Sequence, residues 1–210
     1  MQAITWIDRI ADESNLWLNA MKQEDQDDFV QAAGFYLRDA SDCLARRSPV
    51  KAALSCSCAA DCLSRLKLYE NARLLHREAA MIYLEGAEAT TKSVRELLWC
   101  FREAWVHFQT AGDMQMAEGV FRRFSTLSRR VNPFPAEGEL APMPLSVAEL
   151  ERIDEGPPVR NLELDSEVEL FLDARRSGRY ELYEPNRPAV PRKNGARTQA
   201  NEKNIINQLG

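Results

Sequence analysis

The chain has 210 residues, 45% of them hydrophobic, which is enough for a folded body with a real core in one or two domains. Lys and Arg total 27 against 32 Asp and Glu, and the resulting net charge of −5 creates no global field for phosphate backbones, so nucleic acid is not expected as the main ligand. No apolar run approaches the roughly 18 to 20 residues of a bilayer span. The opening MQAITWIDRIADESNLWLNAMK lacks a basic n-region and a small-residue cleavage site, so a soluble, cytoplasmic protein is expected.

In chain order, Ile4, Ile7, Ile10 and Ala11 suggest a first helix. A second stripe follows through Phe29, Ala33, Tyr36, Ala40, Cys43 and Leu44, and a third through Ala52, Ala59, Leu63 and Leu66. The fourth takes Ala72, Leu75, Ala79, Ile82 and Tyr83. The clearest spans 91–111, where Val94, Leu97, Leu98, Phe101, Ala104, Trp105, Phe108 and Ala111 recur at steps of three and four. Ala117, Val120, Phe121, Phe124 and Leu127 make a sixth. Ser48-Pro49 suits an N-cap with proline at the first helical position, and Ala111-Gly112-Asp113 supplies a flexible stop. Such short links force neighbouring helices to run antiparallel, so the expected class is all-α, a stack of helical hairpins.

Ala59, Leu63, Leu66, Tyr69, Ala72 and Ala79 follow a spacing in which small residues let paired helices approach and an aromatic closes the turn, with Lys67 at the turn. Ala104, Phe108, Ala111-Gly112-Asp113 and Ala117 repeat it, with Ala117 standing 45 residues after Ala72. Over about residues 27–130 the chain resembles the tetratricopeptide and soluble NSF attachment protein-like α-α helical repeats. Its interval exceeds the roughly 34-residue tetratricopeptide period and is closer to the longer-helix variants. The resemblance implies a short tetratricopeptide-like solenoid.

Near Val131-Asn132-Pro133 the composition changes, with one proline before that point and nine after it. This predicts a helical-repeat domain over 1–131, an acidic arm over 132–184 and a polar, somewhat basic tail over 185–210. Two short helices, Ser146 to Asp154 and Ser166 to Arg176, each open on a serine cap. The arm is expected either to wrap along the helical body or to order on a partner.

Cys56, Cys58 and Cys62 invite a metal or redox reading, since thiolates are soft ligands. Residues two apart on a helix point about 200° from each other, so only Cys58 and Cys62 share a face. With Cys43 and Cys100, these cysteines read instead as reduced packing residues. His76 and His107 fall on separate helices and read as surface or boundary residues. No glycine-rich phosphate loop, nucleophile elbow or metal-binding H-E-x-x-H occurs. No catalytic residue, metal or cofactor is expected.

Binding has a better foothold. Arg95, Trp99, Arg102 and Val106 fall within an arc of about 60° on the side of the 91–111 helix opposite its buried stripe. A tryptophan between arginines is the composition of interface hot spots, although Trp99 could equally meet the next helix or the returning arm. Leu54, Cys58, Asp61 and Arg65 line the corresponding face of the 49–67 helix. Tyr180 and Tyr183, before Pro185, form a second anchor for a groove in this chain or another. The expectation is a non-catalytic adaptor or scaffold that holds a helix or peptide of another protein through its helical surface and C-terminal arm. The alternative is a regulatory subunit or sensor whose cysteine cluster answers metal or oxidant.

Overall fold

The computed structural model describes residues 15–89, 93–131, 146–153 and 161–180. Within them the regular structure is entirely helical: α1 (Leu16–Glu24), α2 (Phe29–Ala45), α3 (Pro49–Arg65), α4 (Tyr69–Ala89), α5 (Val94–Thr110), α6 (Met114–Val131), α7 (Val147–Ile153) and α8 (Leu162–Ser177). From α1 to α6 each helix packs on its sequence neighbour. Contacts fix the directions: Asp39, late in α2, accepts from Ser55 Oγ, early in α3 (2.5 Å), while Tyr83, late in α4, meets Trp99, early in α5. The hairpins are therefore antiparallel.

One turn design joins α1 to α2, α2 to α3, α3 to α4 and α5 to α6. Asp27, Arg47, Lys67 and Gly112 each adopt a left-handed backbone, with φ of 58°, 57°, 62° and 81°. The next N–H donates to the carbonyl five residues back, as Ser48 to Cys43 (2.8 Å), Leu68 to Leu63 (2.9 Å) and Asp113 to Phe108 (2.9 Å). This satisfies carbonyls that a helix end otherwise orphans. Lys67 thus performs the reversal that glycine performs at 112, at a conformational cost glycine does not carry.

The turns set a register. Asp28, Ser48 and Leu68 precede their helices at intervals of twenty residues, as do Ser93 and Asp113. Four residues into their helices, Ala32, Ala52, Ala72 and Ala117 are all buried. The 45-residue interval contains one longer step, because α4 has 21 residues where α3 and α5 have 17. Full burial of Tyr36, Leu63, Leu75, Ile82, Tyr83 and Phe108 supplies the drive, at roughly 1.5–3 kcal/mol for each large apolar side chain.

Several expectations shift. The stripe at Ile4, Ile7, Ile10 and Ala11 lies outside the described residues. Helix α1, with Asn15 Oδ1 accepting from Leu18 N (3.1 Å), was not foreseen. Val94, expected in the α5 stripe, is 47% exposed, and of the α6 stripe only Ala117 and Val120 are fully buried. Ser146 caps α7, with Glu149 reaching back to its N–H (2.8 Å). Ser166 does not cap α8: the helix begins at Leu162 under Asn161, whose Oδ1 accepts from Leu164 N, and Ser166 Oγ donates to the Leu162 carbonyl inside the helix.

Helices α7 and α8 pack against α2 and α4. Leu164, Val168, Phe171 and Leu172 bury the inner face of α8. Arg175 binds Glu78 through Nε (2.6 Å) and Glu85 through Nη2. Burial opposes its charge, but the two carboxylates reverse that, and the net shift of its pKa is upward. Asn71 adds a bond to Asp165 (2.5 Å), and Arg73 pairs with Glu151 of α7 (2.5 Å).

Candidate partner-binding surface

With α7 and α8 on α2 and α4, the residues singled out on α3 and α5 lie on helices where neither has its main contacts. On α5, Arg95 and Arg102 are exposed and Trp99 is 38% exposed, while Val106 is half-buried against the core. Trp99 is braced edge-on by Tyr83, with ring centres 5.4 Å apart and planes at 86°. The preceding helix, α4, therefore holds the indole edge-on and leaves part of it to solvent. Such a fixed, half-open aromatic loses little conformational freedom on contact. Arg102 reaches Glu103 at 4.0 Å, an exposed pair of little consequence for stability.

On α3, Leu54 (39% exposed), Asp61 and Arg65 face outward and Cys58 is half-buried. The Arg65 guanidinium lies 5.2 Å from the centre of the Phe29 ring, which draws it toward α2. Between the two helices stands a column that the sequence did not announce. His107 stacks on Tyr83 (5.7 Å, 2°) and on His76 (5.3 Å, 15°), the two Nδ1 atoms lie 3.3 Å apart, and His76 Nε2 approaches Asp61 at 3.7 Å. His76 is 2% exposed and so is not a boundary residue. It occupies the eighth position after the turn, as the buried Tyr36 and Cys56 do in their helices, and that register is the signal that could have revealed it.

Burial, together with the neighbouring imidazole, lowers the His76 pKa to about 3, and burial lowers that of His107 to about 4. At neutral pH the pair is uncharged, one Nδ1–H donating to the other Nδ1. Toward α1, Tyr36 Oη donates to Glu24 Oε2 (2.5 Å), and burial followed by this bond raises the phenol pKa.

The five cysteines are free. Burial pushes Cys58 up to about 12 and Cys43 and Cys100 to about 11, and raises Cys56 and Cys62 as well. Cys56 Sγ donates to the Leu75 carbonyl (3.4 Å), and Cys62 Sγ to Glu24 Oε1 (3.8 Å). These thiols are protonated at neutral pH, so they are weak nucleophiles and weak ligands. Among the described residues no group of three or more His, Cys, Asp and Glu side chains is placed to hold a metal ion, and no helix is long and apolar enough to cross a membrane.

Tyr180 is half-buried against the body, its Oη accepting from Arg175 Nη1 (3.0 Å), and so belongs to the covered side of the molecule; Tyr183 lies outside the described residues. The structure thus brings Arg95, Trp99, Arg102 and Val106 onto one helix, places Arg65 two helices earlier, and sets Tyr180 with α8. No protein-family profile, no curated protein and no solved structure matches the chain.

Proposed function

We propose that the chain is a non-catalytic adaptor or scaffold of the tetratricopeptide and attachment-protein-like kind, holding a helix or peptide of another protein against α3 and α5. What carries the reading is Trp99, an indole fixed by Tyr83, left 38% exposed and flanked by Arg95 and Arg102. Buried aromatic and arginine anchors supply most of the free energy at protein interfaces. The arm supports the same reading from the other side. With α8 seated on α2 and α4 through Phe171 and Arg175, that surface is already occupied, which favours the α3 and α5 side for this partner.

The test compares capture from extracts of the native cell by the full chain and by Trp99→Ala and Arg102→Ala, with bound proteins quantified by mass spectrometry and helicity checked by circular dichroism. Helicity unchanged and one specific bound protein lost or reduced at least tenfold in both variants is the expected outcome. Undiminished capture in both removes this surface from the account.

A further inference from the structure

Among the described residues the row of helices has an open end. Helices α2, α3 and α4 each bury nine or ten residues, whereas α6, of similar length, buries two, and among the described residues its substantial neighbour is α5 alone. Yet α6 keeps the apolar side chains of an internal helix. Met116, Phe121, Phe124 and Leu127 are only partly covered, and Met114 and Val131 are 59% and 56% exposed.

Beside it lies an open cleft of about 440 Å³, lined by residues of α4, α5 and α6. Ala87 and Glu88, in the last turn of α4, line one side of it. Leu97 and Phe101 of α5 and Leu127 of α6 form the floor, and Arg122, Arg123 and Arg130 form the opposite rim. Gly86 permits the crossing that places this turn, since a Cβ there would stand 2.8 Å from Val50 Cγ2.

The charge of the cleft runs against that of the chain. In a protein of net charge −5, α6 carries four arginines, Arg122, Arg123, Arg129 and Arg130, and a single acidic residue, Glu118. Arg129 and Arg130 sit in the last turn, where they complement the helix dipole. That account does not extend to Arg122 and Arg123 in mid-helix. Glu118 engages Arg122 (2.6 Å), whereas Arg123 lies over Phe101, 4.9 Å from the ring centre, which fixes its guanidinium at the cleft. Among the described residues neither Arg123 nor Arg130 has a carboxylate partner within ion-pair distance.

We infer that this cleft at the open end of the row docks an acidic amphipathic peptide from another protein, apolar side chains on Phe101, Leu97 and Leu127 and carboxylates on Arg123 and Arg130. An apolar floor beneath planar cationic forks selects carboxylates on an apolar stripe, since arginine pairs with carboxylate through two parallel bonds. The surface is distinct from the Trp99 face and does not depend on it.

The probe is a fluorescein-labelled fourteen-residue peptide with leucine and phenylalanine at helical spacing and glutamate between them, titrated into the full chain by fluorescence polarisation. Saturable binding is expected, weakened at least tenfold in Arg130→Glu and in Arg123→Glu, unchanged in Trp99→Ala, and absent for the same peptide with lysine in place of glutamate. Arg130 is exposed, so Arg130→Glu keeps the test valid if Arg123→Glu disturbs Phe101. Four results would each overturn the inference: no binding to the wild-type chain, equal binding to Arg130→Glu, stronger binding of duplex DNA or phosphatidylserine vesicles than of the peptide, or binding only after Glu137 and Glu139 are changed to lysine, which would make the chain's own acidic segment the occupant. Failure here with Trp99-dependent capture intact would leave the proposed function standing, and the converse would leave the cleft.

Discussion

The two sides of the helical row solve the same problem differently. On α2 and α4 the chain covers its own surface: α8 lays down Leu164, Val168, Phe171 and Leu172, and Arg175 ties the helix to Glu78 and Glu85. On α3 and α5 comparable material, Leu54, Trp99 and Val106, is left partly uncovered, with mixed charges around it. A partly exposed leucine or tryptophan alone would mean nothing. The contrast within one molecule is informative, because the described residues cover one side and leave the other open.

The comparison can be broken most forcefully at Phe171. Removing this fully buried ring in Phe171→Ala should lower stability by about 3–5 kcal/mol in urea denaturation, or release α8 as seen by hydrogen exchange. A loss below about 1 kcal/mol with α8 still protected would show that α8 does not depend on this packing. Next comes pH. His76 and His107 are lowered from 6.5 to about 3 and about 4, so between those values and 6.5 the unfolded chain binds more protons. Their contribution is therefore complete above pH 6.5 and is lost as pH falls toward 4, by up to about 2 kcal/mol per histidine at pH 5. Glu103 and Glu167, whose carboxyls burial raises, act in the opposite sense. The His107 share is thus the difference between wild type and His107→Phe, and identical slopes from pH 7 to 5 would refute it.

Smaller effects test the turns and the open side. Gly112→Ala should cost about 1 kcal/mol of stability because φ is 81° there, while Lys67→Gly should be neutral or raise the melting temperature. Trp99→Ala should change stability by no more than about 1 kcal/mol, the value for a half-exposed side chain with one aromatic contact. A loss as large as that at Phe171 would make Trp99 a core residue and remove the contrast between the two sides.

Much of this was legible in the amino acids. The stripes of α2 to α5 stand out because three- and four-residue steps are unambiguous over seventeen residues, and Gly112 declared its turn. The breaks at Ser48-Pro49 and Lys67 were legible too, but the left-handed backbone of Arg47 and Lys67 was not, because such residues seldom adopt positive φ, and with it hid the twenty-residue register of Ala32, Ala52 and Ala72. Helix α1 was missed because its stripe, Trp17, Ala20, Met21 and Glu24, is short and ends on a carboxylate bonded to Tyr36. The outer face of α5 followed from its angular spacing. The histidine column and the Arg175 clamp did not, because each depends on partners 31 to 97 positions away that no local pattern connects.

The most direct test of the open surface replaces Val106 with a photoreactive benzoylphenylalanine and irradiates the full chain in its own cell. A discrete cross-linked adduct to one other protein, lost when Trp99→Ala is added, is the predicted result. An adduct that persists unchanged in Trp99→Ala, or none at all, would contradict it.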